Sequence, residues 1–115
     1  MNPDQISSLI NALAPNHEYD SNIIPNIHDI IEQIGLFAQN NVNQNKEVEL
    51  VKLIKLLQKN ERYRQDGWRS TIPGRIVLLK NSLESLGYET AANIITPLEA
   101  ATNSAGASSS PNPTL

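Results

Sequence analysis

The chain has 115 residues, with nine Lys and Arg against twelve Asp and Glu, a formal net charge of −3, and 39% hydrophobic and 18% charged residues. That length suits one domain and is short for two. The absence of cysteine excludes disulfides, thiolate metal sites and thiol nucleophiles, and no apolar run approaches the roughly 20 residues of a membrane span.

The amino end carries neither a basic start nor a signal-peptide core, so a cytoplasmic protein is the expectation. Phe37, Trp68, Tyr19, Tyr63 and Tyr88 are the whole aromatic set. A core of Ile, Leu, Val and Ala follows, which suits helices packed on helices. The many asparagines punctuate apolar stretches and cluster in one place, Asn40 to Asn45, as expected of loops and helix caps.

The first element opens on Asn2-Pro3-Asp4-Gln5, an N-cap followed by proline at the first helical position and Gln at the third. Ile6, Leu9, Ile10 and Leu13 recur at helical spacing, and Pro15 closes the helix. After a polar connection over 15–24, a second helix is predicted from Pro25 or Asn26, with Ile27, Ile30, Ile31, Ile34 and Phe37 on one face. The third, Lys46 to Asn60, carries Leu50, Val51, Leu53, Ile54, Leu56 and Leu57 and is expected to be the most buried. Its polar edge aligns Lys52, Lys55 and Lys59, three and four residues apart.

Residues 61–72 show no sustained period and contain Asp66-Gly67, so a structured loop is expected there. Pro73 begins the fourth helix, with Ile76, Leu79, Leu83 and Leu86 in register and Gly87 as its C-terminal cap. The last starts near Glu89 with Ala91, Ala92, Ile94 and Ile95. Pro97 forces a kink or a restart as a short helix over Leu98 to Ala101. Residues 103–115 hold no charged side chain and almost no large apolar one, too little to offset the entropy of ordering. The fold class is therefore all-α: a compact bundle of about five short helices over 1–102, then a disordered Ser/Pro/Asn tail or linker.

Charge is segregated along the chain. All nine bases lie between Lys46 and Lys80, where only Glu47, Glu49, Glu61 and Asp66 oppose them, whereas the flanks hold eight acids and no base. Four readings fit this pattern. The basic segment neutralises acidic neighbours within the fold, through surface pairs worth about 0–1 kcal/mol each. Alternatively it meets an acidic protein surface through Lys52, Lys55, Lys59, Arg62, Tyr63, Arg64, Trp68, Arg69 and Arg75, where arginine forks and aromatic rings supply planar donors and stacking area. The same Lys/Arg/aromatic segment binds nucleic acid in a third reading, against which stand the net negative charge and the lack of a known motif. In a fourth, the basic middle of one copy docks on the acidic flank of another.

Motifs for chemistry are sparse. His28 and Glu32 have the spacing of a shared metal but no evident third ligand, and His17-Glu18-Tyr19-Asp20 matches no calcium loop. Two histidines outside any nucleophile elbow make no triad. Pro73-Gly74-Arg75 reads as a helix start before it reads as an anion cradle. The expectation is a non-enzymatic interaction module without a cofactor, and exposure of Trp68 beside its arginines is what separates a docking surface from an ordinary core aromatic.

Overall fold

A computed structural model describes residues 1–15 and 18–98. Among them are six helices and no strand: α1 (Pro3–Asn11), α2 (Ile23–Asn40), α3 (Glu47–Lys59), α4 (Glu61–Asp66), α5 (Ile72–Ser85) and α6 (Glu89–Asn93). The expected disorder of the tail and the Glu99 to Ala101 part of a final helix lie outside the described residues; Leu98 itself is not helical. No helix among the described residues is long and apolar enough to cross a membrane.

The amino end of α1 forms as its sequence dictates. Asn2 Oδ1 accepts from the Gln5 amide at 2.8 Å, and Gln5 Oε1 accepts from the Asn2 amide at 2.9 Å. Ile6 and Ile10 then reach the core fully buried. α2 begins two residues earlier than the sequence suggests, at Ile23, because Pro25 falls in the first turn. Amides there have no intrahelical partner, so the proline removes no hydrogen bond.

α3 buries Leu50, Leu53, Ile54 and Leu57. α5 starts at Ile72 with Pro73 in its first turn and stops at Gly87, whose φ of 89° is the left-handed conformation a helix stop requires. The Tyr88 amide donates to Leu83 O and the Gly87 amide to Glu84 O, so the last carbonyls of α5 are satisfied.

The segment after α6 departs from expectation. Helix ends at Asn93, before Ile94 and Ile95, because Gln58 of α3 bonds the chain on both sides: Nε2 donates to Ile94 O at 2.9 Å and Oε1 accepts from the Thr96 amide at 2.7 Å. Pro97 independently disfavours a helical Thr96. Ile95 is turned into the core instead.

The helices close a circuit: α1 packs on α2, α2 on α5, α5 on α6, α6 on α3 and α3 back on α1, with α2 also touching α3 and α4 resting on α3. One aliphatic cluster fills it, running from Ile6 to Ile95, and within it the Tyr88 hydroxyl donates to Ala38 O at 2.9 Å. α2 and α5 run in the same direction. His28 and Thr71 meet near their starts, Gly35 faces Leu79 farther on, and Tyr88, just past α5, reaches Ala38.

The greatest surprise is α4, where a loop was expected. Asn60 creates it. The side chain accepts from the Tyr63 amide at 2.9 Å as a helix N-cap, while its Nδ2 donates to Ile10 O at 3.0 Å and Leu13 O at 3.1 Å. One side chain thus starts α4 and finishes α1. Replacing Asn60 by Ala is expected to cost about 2–3 kcal/mol, a lost cap plus two lost hydrogen bonds. Urea denaturation of the variant checks this, and a loss below ~0.5 kcal/mol would show that water substitutes for the amide.

Candidate partner-binding surface

The nine residues singled out from sequence divide into four groups. Lys52, Lys55 and Lys59 are exposed on α3. At 100° per residue they fall opposite the buried stripe of Leu50, Leu53, Ile54 and Leu57, together with Val48, which is 63% exposed. The outer face of α3 is therefore a lysine row with one apolar residue at its head. None of the three lysines is ion-paired among the described residues.

Arg62 and Tyr63 form the second group and are buried, 4% and 2% exposed. Arg62 Nε donates to Asp66 Oδ2 at 2.6 Å and Nη1 to Ala14 O at 3.2 Å, so the guanidinium fixes the chain just beyond α1. Tyr63 packs in the core beside Gly67. A Cβ at Gly67 would lie 2.5 Å from Tyr63 O, which makes glycine obligatory at this turn. Burial pushes the Tyr63 phenol well above its ordinary pKa. Neither residue can present itself to a partner, and the helical i, i+4 spacing of Arg62 and Asp66 explains why: it allows an internal pair.

Trp68 and Arg69 form the third group, half-buried. The Arg69 guanidinium lies 4.1 Å from the centre of the Tyr19 ring and 4.3 Å from that of Trp68, and its Nε donates to Asp66 Oδ1 at 2.7 Å. Trp68 Nε1 donates to Gln65 O at 2.8 Å. Tyr19, 48% exposed, belongs to this stack, although nothing in the local sequence pattern marks it. Trp68 is thus neither a core aromatic nor a free one: it is a partly exposed ring already engaged by a cation.

Arg64 and Arg75 complete the set, both exposed. Arg64 shares a cavity of about 310 Å³ with Gln58, Tyr63, Thr96 and Leu98, so it adjoins α3 on the Gln58 side. Arg75 stands on α5, beside His28 and Glu32 of α2. Of the remaining bases, Lys80 is structural: its Nζ donates to Ala92 O at 2.8 Å. The ion pairs Arg62–Asp66 and Arg69–Asp66 both lie inside the basic window.

His28 Nε2 sits 2.9 Å from Thr71 Oγ1. Partial burial, then the Arg75 charge, hold its pKa below the ordinary histidine value. No group of three or more His, Cys, Asp or Glu able to hold a metal occurs among the described residues, and His17 lies outside them. In comparisons with protein-family models, curated proteins and solved structures, nothing matches the chain.

Two outcomes follow from this geometry. Asp66→Ala strands a buried guanidinium and is expected to cost on the order of 3–5 kcal/mol, whereas Arg69→Ala, whose pair is one-third exposed, costs less than about 1 kcal/mol; denaturation followed by Trp68 fluorescence measures both. His28 takes up a proton less readily in the folded chain than in the unfolded one. Its contribution to stability is therefore complete above the ordinary histidine pKa and declines as pH falls through that value toward the lower folded one. In an NMR titration, Arg75→Gln should raise the His28 midpoint without bringing it fully to the unperturbed value, since burial remains.

Proposed function

We propose that the chain is a non-enzymatic protein-interaction module that engages an acidic partner surface through the outer face of α3 and the adjoining edge of α4. The observation that carries this reading is the row of Lys52, Lys55 and Lys59, exposed over two turns of one helix, opposite the core and outside any ion pair among the described residues. Lysines displayed this way keep their charge for an incoming surface, where complementary potentials set the rate and register of encounter. Val48 gives the row an apolar contact at its amino end, and Arg64 adds an exposed cation on the Gln58 side of α3.

Arg62 and Tyr63 drop out of the docking set because they hold the fold together. Arg69 and Trp68 are half-buried and tied to Asp66 and the Tyr19 ring, so any docking there would use a guanidinium already ordered, at little cost in side-chain entropy. A nucleic-acid platform is supported less well. It needs several open ring faces for bases, and here Tyr63 is buried while Arg69 covers Trp68 and Tyr19.

Titration of the 15N-labelled chain with a poly-glutamate peptide, and separately with single-stranded and duplex oligonucleotides, tests this at low and at physiological salt. The peptide should shift α3 and α4 amides. Reversing Lys52, Lys55 and Lys59 to Glu together should weaken binding roughly tenfold or more while circular dichroism stays unchanged. Shifts produced by oligonucleotide and not by peptide would replace the protein-partner reading with the nucleic-acid one; no shift with either would remove both.

A further inference from the structure

α2 and α5 each carry a second seam besides the one they turn to the core. Between them runs a groove of about 400 Å³. On α2 its lining recurs at His28, Glu32, Gly35, Leu36 and Gln39, and on α5 at Arg75, Leu78 and Ser82, the alternating three- and four-residue spacing by which helices pack along one another. Leu36 is 40% and Leu78 is 62% exposed, so the middle of this seam is apolar and uncovered. Isolated surface leucines are ordinary; two lining one groove at helical register are not.

Because α2 and α5 are parallel, the seam is organised in levels. His28 pairs with Thr71 at the first turn, which puts Glu32 and Arg75 together one turn on; Gly35 facing Leu79 sets Leu36 and Leu78 at the next level; Gln39 and Ser82 close the far end. Each level thus places complementary groups on the two helices: carboxylate on α2 with cation on α5, leucine with leucine, amide with hydroxyl. Neither Glu32 nor Arg75 is in an ion pair among the described residues.

We propose that this groove is a homodimer interface, in which a two-fold axis parallel to the helices sets α2 of each copy against α5 of the other in a parallel four-helix seam. Under that operation every level is kept. Glu32 meets Arg75 of the partner subunit twice, Leu36 meets the partner's Leu78 twice, and Gln39 meets the partner's Ser82. The charge pattern selects a second copy over an unrelated helix. An acidic segment would face Glu32 and a basic one Arg75, whereas the chain's own surface presents the opposite sign at each position. The surface involved is separate from the lysine row on α3, so this inference stands or falls independently of the function proposed above.

Sedimentation equilibrium of the full chain, from about 1 to about 500 μM, tests the proposal. Twice the chain mass is expected at the upper end, falling to the single-chain mass for Leu78→Glu and for Leu36→Glu with helical content unchanged. Glu32→Arg alone and Arg75→Glu alone should each weaken association severalfold, and the two combined should restore it, because the swap re-forms both cross-subunit pairs. A wild-type chain monomeric throughout overturns the proposal. So does a dimer indifferent to Leu78→Glu, or one that the combined charge swap fails to rescue.

Discussion

The fold turns on how α1 ends. A helix leaves its last carbonyls without partners, and α1 has neither a glycine stop nor a basic residue in its last turn to take them. Asn60 and Arg62 tie down the turn that follows, bonding Ile10 O, which the Leu13 amide also reaches, and Leu13 O and Ala14 O beyond the helix, from 47 to 50 residues away in the chain. Those bonds are long-range, so they are worth most once the core has already brought α1 onto α3. Asn60 and Arg62 also belong to α4, by its cap and its Asp66 pair. The same two side chains thus couple the short helix to the carboxyl end of α1.

The same device recurs at α6, which at five residues is far too short to be stable alone. Its Ala91 amide donates to Glu47 Oε2 of α3 at 3.1 Å, and its Ala92 carbonyl accepts from Lys80 Nζ of α5 at 2.8 Å. A carboxylate at the amino end and an ammonium at the carboxyl end both complement the helix dipole. Glu47 also adds to burial in raising the Tyr88 pKa. Gln58 then fixes the chain beyond α6. α6 is thus held by side chains donated from α3 and α5, whereas α4 brings its own cap and its own ion pair.

That division explains what the sequence could reveal. The long elements were legible because periodicity and capping are local: Asn2 to Gln5 announces α1, Ile27 to Phe37 announces α2, and Gly87 ends α5 where a left-handed residue must sit. α4 was not, because six residues hold too little period to read, and its cause lies in contacts with Ile10 and Leu13. The end of α6 was missed for the same reason, Gln58 being thirty-six residues distant from Ile94. Of the candidate surface, the lysine row followed from spacing alone. The burial of Arg62 and Tyr63 and the part played by Tyr19 are tertiary facts, visible only when the 18–20 stretch lies against Arg69.

The concentration of positive charge between residues 46 and 80 then has two causes. Part of it is architectural. Arg62 and Lys80 spend their charge on carbonyls that other helices leave open, and Arg69 shares Asp66 with Arg62, an economy that puts two cations on one carboxylate and leaves that cluster with an excess of positive charge. Lys52, Lys55 and Lys59 touch no such carbonyl and lie on the face of α3 turned from the core, where glutamate or glutamine would serve helix formation about as well. Packing therefore accounts for Arg62, Arg69 and Lys80 but not for the sign of the row. A surface of one sign costs something in self-repulsion, small at each exposed site, and the fold draws no return from it. The partner-facing reading rests on part of that remainder: of the bases left over once the carbonyls and Asp66 have taken theirs, Lys52, Lys55 and Lys59 are aligned on one helix face, outside any ion pair among the described residues.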